Sequence, residues 1–162
     1  MKVLGIDPGI TICGYAVLEN TEHGAQNIEH GVIRNKSKIS LAEQLNHLFI
    51  ELACLIQKFQ PDVLAVEKLF FGTNIKTALS VGHARGVILL AGAQKGLPVF
   101  EYSPMDVKIA MTGYGRASKE QIQIMVKTLL KLPEIPRPDD AADALAIALC
   151  HLNFNLTLTG RY

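Results

Sequence analysis

The sequence predicts an α/β domain built on a five-stranded mixed sheet, three strands antiparallel and then two parallel, with helices on both faces. Three strand-like apolar runs lie within residues 1–34 and are joined by short turns, which is typical of an antiparallel meander. Two later apolar runs each follow a helical segment, as in parallel crossover units. The 162 residues are 49% hydrophobic, enough for one sizeable core, so we assign residues 1–162 to a single domain.

The meander is predicted over residues 1–7, 12–19 and 26–34. Its second strand is apolar almost throughout, as expected for a strand buried on both faces. The first strand ends on the carboxylate of Asp7 and is stopped by Pro8-Gly9. Asp7 can begin an Asx-type turn, but a charged group at the end of a buried strand also requires something to bind.

Helices and strands alternate after the meander. Ser40 and Glu43 form a capping-box pattern before leucines at helical spacing, which predicts a helix as far as Phe59. A strand over residues 62–67 then ends on a second carboxylate, Glu67. The remaining predictions are a helix over 74–95, a strand over 97–102, helices over 103–111 and 118–132, and a last helix from Asp139 or Asp140 to about Asn153.

Four carboxylates occupy matching places in this arrangement. Parallel strands end at the same edge of a sheet, so Asp7 and Glu67 are expected side by side. Asp140 and Asp143 are spaced i, i+3 and share one face of an otherwise apolar helix. An N-cap role would account for Asp140 alone and the helix dipole for Asp143, but neither explains all four acids. Four converging carboxylates repel and need a cation, and oxygen ligands without His or Cys favour Mg²⁺ or Mn²⁺.

The distribution of charge indicates a polyanionic substrate. Lys and Arg outnumber Asp and Glu by 10 to 4 over residues 68–137, whereas acids lead by 8 to 5 before this segment and by 3 to 1 after it. A basic segment combined with two metal ions on carboxylates indicates phosphodiester hydrolysis. Three widely spaced cysteines indicate buried free thiols, and no apolar run has the length of a membrane span, so we expect a cytoplasmic protein.

Several segments, taken in order over nearly the whole chain, resemble the RuvC family of bacterial Holliday junction resolvases. They are residues 4–9, 14–15, 59–67, 84–86, 97–102 and 140–146. The resemblance implies an RNase H-like fold, a homodimer and Mg²⁺-dependent paired nicking of four-way DNA junctions. It also implies the branch-migration helicase complex RuvA-RuvB as partner. The family's catalytic, metal-binding acids match Asp7, Glu67, Asp140 and Asp143.

The resemblance also indicates DNA contacts. Phe70 matches the family's base-contacting aromatic, although a core position would explain a phenylalanine equally well. Lys108 and Lys119 match basic residues that the family uses near the scissile phosphate, although single lysines are usually solvated. Weaker candidates for phosphate contacts are Arg116, Lys76 and Arg85.

A stripe of small residues runs along the second predicted helix. Ala78, Gly82 and Gly86 recur every four residues, and glycines are costly in a helix interior, so they serve a packing need. That need is either packing against the protein's own sheet or a two-fold interface between subunits.

Two other functions compete with the nuclease. Residues 5–9 with Thr11 also resemble the first phosphate-binding turn of sugar kinases and Hsp70-like ATPases, which need a second domain that 162 residues do not provide. A junction-binding module without catalysis is the other. Four intact acids argue against it, because a pure binder would gain affinity from neutral or basic groups there.

Overall fold

The computed structural model describes residues 1–36, 38–68 and 75–158, of which residues 75–77 and 155–158 are described by backbone alone. The elements within these ranges are, in chain order, β1 (Lys2–Asp7), β2 (Ile12–Thr21), β3 (Gly24–Arg34), α1 (Leu41–Phe59), β4 (Val63–Glu67), α2 (Ile75–Gln94), β5 (Val99–Tyr102), α3 (Pro104–Thr112), α4 (Lys119–Leu129) and α5 (Asp139–Leu158).

The strands form one mixed sheet in the order β3-β2-β1-β4-β5. β1 pairs with β2, and β2 with β3, in antiparallel register, whereas β1 with β4 and β4 with β5 are parallel. The predicted class and strand directions are confirmed. The β2–β3 hairpin extends beyond its predicted ends because Thr21 pairs directly with Gly24 and donates its hydroxyl to the Gly24 carbonyl at 2.9 Å.

Each face of the sheet carries its own hydrophobic core. Leu4 and Ile6 of β1 pack on the side of α1 and α2, whereas Val3 packs on the side of α3, α4 and α5. β4 shows the same alternation, with Ala65 on the α5 side. Because side chains alternate along a strand, the last residues of both strands, Asp7 and Glu67, face α5.

Local capping explains where most helices begin. Ser40 and Glu43 form the predicted capping box of α1, and Ser103 and Ser118 cap α3 and α4 in the same way. These boxes satisfy backbone N–H groups that the first helical turn leaves without partners.

Three expectations are corrected. α5 begins at Asp139, as predicted, and because the amide of Ala142 donates to the carbonyl of Pro138, the N-cap alternative for Asp140 is wrong. The helix continues past Asn153, because that side chain donates to the Ala110 carbonyl at 3.2 Å and docks α5 on α3. Cys54 is exposed on α1, whereas Cys13 and Cys150 are buried as predicted.

Candidate active site

The ends of β1 and β4 place two carboxylates next to each other. Ile6 pairs with Val66 in the parallel ladder, so Asp7 and Glu67 follow at neighbouring positions on the same edge. The two side chains are hydrogen-bonded to each other, and both are half-buried. The structure therefore places Asp7 and Glu67 side by side, as predicted from the sequence.

Two glycines allow α5 to approach the sheet closely. A Cβ added to Gly14 would lie 1.9 Å from the carbonyl oxygen of Asp140, and one added to Gly5 would lie 2.5 Å from that of Ala144. Gly14 also pairs with Asp7 across the β1–β2 ladder. The backbone of α5 thus occupies the space that side chains at Gly5 and Gly14 would need, and this brings the helix beside the end of β1. This role of Gly5 and Gly14 was not predicted from the sequence, although glycines inside strands often mark a close backbone approach.

The charges of the three other predicted acids act on Asp7. Desolvation by burial, followed by the charges of Glu67, Asp143 and Asp140, raises the pKa of Asp7 to about 8. The pKa of Glu67 is raised by burial and then by Asp143, and that of Asp143 is raised chiefly by burial. Repulsion among carboxylates from β1, β4 and α5 acts on one buried group, so the site has unbalanced negative charge.

Lys119 supplies one positive charge to this cluster. Its Nζ donates to Asp143 Oδ2 at 2.9 Å and lies 3.5 Å from Asp139 Oδ2. Burial alone would lower the pKa of Lys119, but the hydrogen bond and charge of Asp143, followed by Asp139, raise it. The acidic neighbours therefore stabilise the charged, ammonium form of the lysine.

A cleft of about 200 Å³ opens beside these groups. Glu67, Asp143, Lys108 and Lys119 line it together with apolar side chains that include Val107. Two acids and two cations of the predicted set therefore face one small space.

The contacts of Asp139 were not predicted from the sequence. It accepts hydrogen bonds from Gln123 Nε2 at 3.2 Å and from Arg137 Nη1, in addition to its ion pair with Lys119. Only the adjacency of Asp139 to Asp140 could have indicated its place near the site.

The other residues predicted to contact DNA do not line the cleft or are outside the residues that the structure describes. Arg116 is exposed in the α3–α4 loop. Arg85 Nε donates to Glu101 Oε1 at 2.8 Å, so its guanidinium already has a carboxylate partner. Phe70 lies outside the described residues, and the side chain of Lys76 is likewise outside them.

The predicted stripe on α2 faces away from the protein's own sheet at Gly86. That residue is exposed, and an added Cβ would meet nothing within 4 Å. Ala84 and Ile88 form the buried side of the same helix, while Leu79 and Leu90 on the outer side are 61% and 52% exposed. Packing against the protein's own sheet therefore does not explain Gly86.

The donor set fits a hard divalent cation by its chemistry. It consists of carboxylate oxygens, and burial followed by the charges of neighbouring acids raises the pKa of Asp7, so a cation there would offset part of the cost of its ionisation. As the side chains stand, no three His, Cys, Asp or Glu residues in the described part of the chain are grouped to hold a metal ion. Lys119 is hydrogen-bonded to Asp143 Oδ2, so a metal ion at that oxygen would displace the ammonium.

Comparison with known proteins gives consistent matches. A sequence model of the family described as "Crossover junction endodeoxyribonuclease RuvC" matches residues 3–151. The protein of that name from Desulforamulus reducens is 53% identical over 161 residues, which cover 99% of both chains. The one from Halothermothrix orenii is 52% identical, covering 94% of this chain and 93% of the relative.

Solved structures agree with the sequence matches. Thermus thermophilus RuvC is 38% identical with a TM-score of 0.91 and 98% coverage of both chains. T. thermophilus RuvC in complex with Holliday junction substrate gives a TM-score of 0.92, with 98% of this chain and 97% of that chain covered. The yeast mitochondrial resolvase Ydc2, 18% identical with a TM-score of 0.69, shares the fold. No described helix has the length and apolar character needed to cross a lipid bilayer.

Proposed function

Because this chain belongs to the RuvC family of crossover junction endodeoxyribonucleases, we propose that Asp7, Glu67, Asp140 and Asp143 are the carboxylates with which it cleaves DNA. Its activity is that of a Holliday junction resolvase, and its substrate is a four-way DNA junction. The observation that carries the residue assignment is the convergence of acids from β1, β4 and α5 on Asp7.

The family's divalent-metal requirement leads to a specific role for these four acids. We assign to them two divalent ions, Mg²⁺ with Mn²⁺ as the alternative. When bound, such ions generate the hydroxide nucleophile and stabilise the leaving oxygen of a phosphodiester. Asp7 is central because it interacts with each of the other three. Rigid positions on a sheet edge and a helix keep the acids in place before substrate arrives.

Basic side chains are proposed to position the scissile strand. Lys108 and Lys119 line the cleft with Glu67 and Asp143, so a phosphate entering it would meet two ammonium groups. Arg116, exposed on the loop before α4, and Lys76 are proposed to contact phosphates further away. Phe70 is proposed to stack on a base.

Arg85 differs from the other proposed phosphate contacts because its side chain already has an acidic partner. Its guanidinium is engaged by Glu101, so a phosphate contact would have to share that side chain with the carboxylate.

The assembly follows from the same family membership. We propose a homodimer whose interface includes Ala78, Gly82 and Gly86, supported by the exposed outer side of α2. Two subunits related by a two-fold axis would present two sites to opposite strands of a junction. We further propose that residues 1–162 form one RNase H-like nuclease domain and that the protein is cytoplasmic. Its proposed partner is the helicase complex RuvA-RuvB.

Nicking of a labelled four-way junction, compared with linear duplex, tests the assignment. We expect symmetric, Mg²⁺-dependent nicks confined to the junction. Asp7→Asn, Glu67→Gln, Asp140→Asn and Asp143→Asn should each abolish nicking, because each removes a charged oxygen ligand, while gel-shift binding of the junction is largely retained. Retained Mg²⁺-dependent cleavage in any two of these variants would contradict the assignment.

Asp62→Asn is the matched control. This residue precedes β4, at the end of the strand opposite to Glu67, and it is exposed. Its Oδ2 accepts a hydrogen bond from the Lys2 amide at 2.6 Å, and an asparagine oxygen can accept the same bond. The substitution makes the same change of charge away from the cleft, so wild-type nicking is expected. Equal loss of activity in Asp62→Asn and Asp7→Asn would show that a general charge effect is being measured.

A further inference from the structure

Asp139 presents its two carboxylate oxygens to different surroundings. Oδ1 accepts from Gln123 Nε2 at 3.2 Å and from Arg137 Nη1. Oδ2 lies 3.5 Å from Lys119 Nζ. Because Gln123 is buried on α4, the Asp139 carboxylate is held from one side with its second oxygen toward the lysine.

Lys119 is therefore shared between two carboxylates with different roles. Asp143, at 2.9 Å, belongs to the proposed metal-binding set, whereas Asp139, at 3.5 Å, does not. An ammonium and a divalent ion on the same carboxylate repel each other, so metal binding at Asp143 favours a shift of Lys119 toward Asp139. Asp139 is already within ion-pair distance, so the ammonium needs only a short movement to keep a partner.

We propose that Asp139 is a positioning residue that retains Lys119 when Asp143 binds a divalent ion. It thereby lowers the cost of metal binding and keeps the ammonium beside the cleft that Lys108 also lines. The proposal rests on the proposed function, because it requires Asp143 to be a metal ligand. Asp139 itself does not contact the ion and takes no part in the chemical step.

Metal affinity, measured by isothermal calorimetry with Mg²⁺ and no DNA, tests this role. Asp139→Asn leaves Lys119 without a carboxylate partner in the metal-bound state. The dissociation constant for Mg²⁺ should therefore rise about two- to fivefold, the range expected for an exposed ion pair. In a Lys119→Met background the same Asp139→Asn change should have little effect, because no ammonium remains to be retained. Asp139→Glu, which keeps a carboxylate, should restore most of the affinity.

Glu120→Gln is the charge control. Glu120 follows Lys119 directly and, within the described part of the chain, forms no ion pair with it. Its replacement removes the same charge from the same region and should weaken Mg²⁺ binding less than Asp139→Asn does. An unchanged affinity in Asp139→Asn, or an equal loss with and without Lys119, would overturn the role of Asp139. A wild-type protein that binds no Mg²⁺ would overturn the metal assignment of the proposed function itself, so the two failures are distinguishable.

Discussion

Replacing Asp7 with asparagine should reduce the pH dependence of stability in the metal-free protein. Burial and three neighbouring acids raise the pKa of Asp7 from 3.8 to about 8 in the folded state. Between these two values the folded protein holds a proton that the unfolded chain has released. The stability contributed by protonated Asp7 is therefore complete below pH 3.8, declines as pH rises, and is lost above about pH 8.

The size of the effect follows from linkage. One proton corresponds to about 1.4 kcal/mol per pH unit, which sets a ceiling of about 4 kcal/mol between pH 5 and pH 8. Because Asp7 is partly accessible to water, we expect the free energy of unfolding to fall by about 2 to 3 kcal/mol over this range. Asparagine has nearly the same shape and does not titrate, so Asp7→Asn should be more stable than wild type at pH 8.

Urea unfolding followed by circular dichroism, in EDTA at pH 5, 6, 7 and 8, measures this difference. Burial lowers the pKa of His30 and of His151, which adds a slope of opposite sign to both proteins and cancels in the comparison. Glu22→Gln, in the exposed β2–β3 turn, is the control and should follow wild type. If wild type and Asp7→Asn lose stability in parallel from pH 5 to pH 8, the burial and repulsion inferred for Asp7 are wrong.

Two further changes test the packing. Gly14→Ala places a Cβ 1.9 Å from the Asp140 carbonyl oxygen and should cost about 1 to 3 kcal/mol in thermal melts while slowing junction nicking. Gly115→Ala, whose Cβ would come no closer than 3.4 Å to other side chains, is its control, and equal melting temperatures for the two variants would contradict the close approach of α5. Gly86→Leu fills the open space outside α2 and should yield a monomer in sedimentation equilibrium with an unchanged melting temperature, whereas a dimer of wild-type strength would argue against this interface.

Much of the fold could be predicted from local patterns. Ser40 and Glu43 cap α1 as predicted, because a capping box uses only groups within one helical turn. Short apolar runs bounded by turn residues identified the strands, and the helix between β1 and β4 predicted that they are parallel. Asp7 and Glu67 were therefore expected as neighbours before any tertiary contact was known. A carboxylate ending an apolar strand is a signal that the sequence carries by itself.

The depth of the helix against the sheet was decided only by tertiary structure. Sequence placed Asp140 and Asp143 on one helix face, but their distance from Asp7 depends on the backbone approach that Gly5 and Gly14 permit. Such contacts join residues more than a hundred positions apart, and no local periodicity specifies them.

The partners of the charged side chains were likewise beyond the sequence. Lys119 lies between Asp139 and Asp143, and Arg85 is engaged by Glu101, although both cations had been predicted to meet phosphate. Long side chains choose partners by three-dimensional proximity and by the charge they can neutralise, not by their spacing along the chain. The sequence thus contained the acids of the site, whereas the folded chain decided which cations accompany them and how closely α5 brings them together.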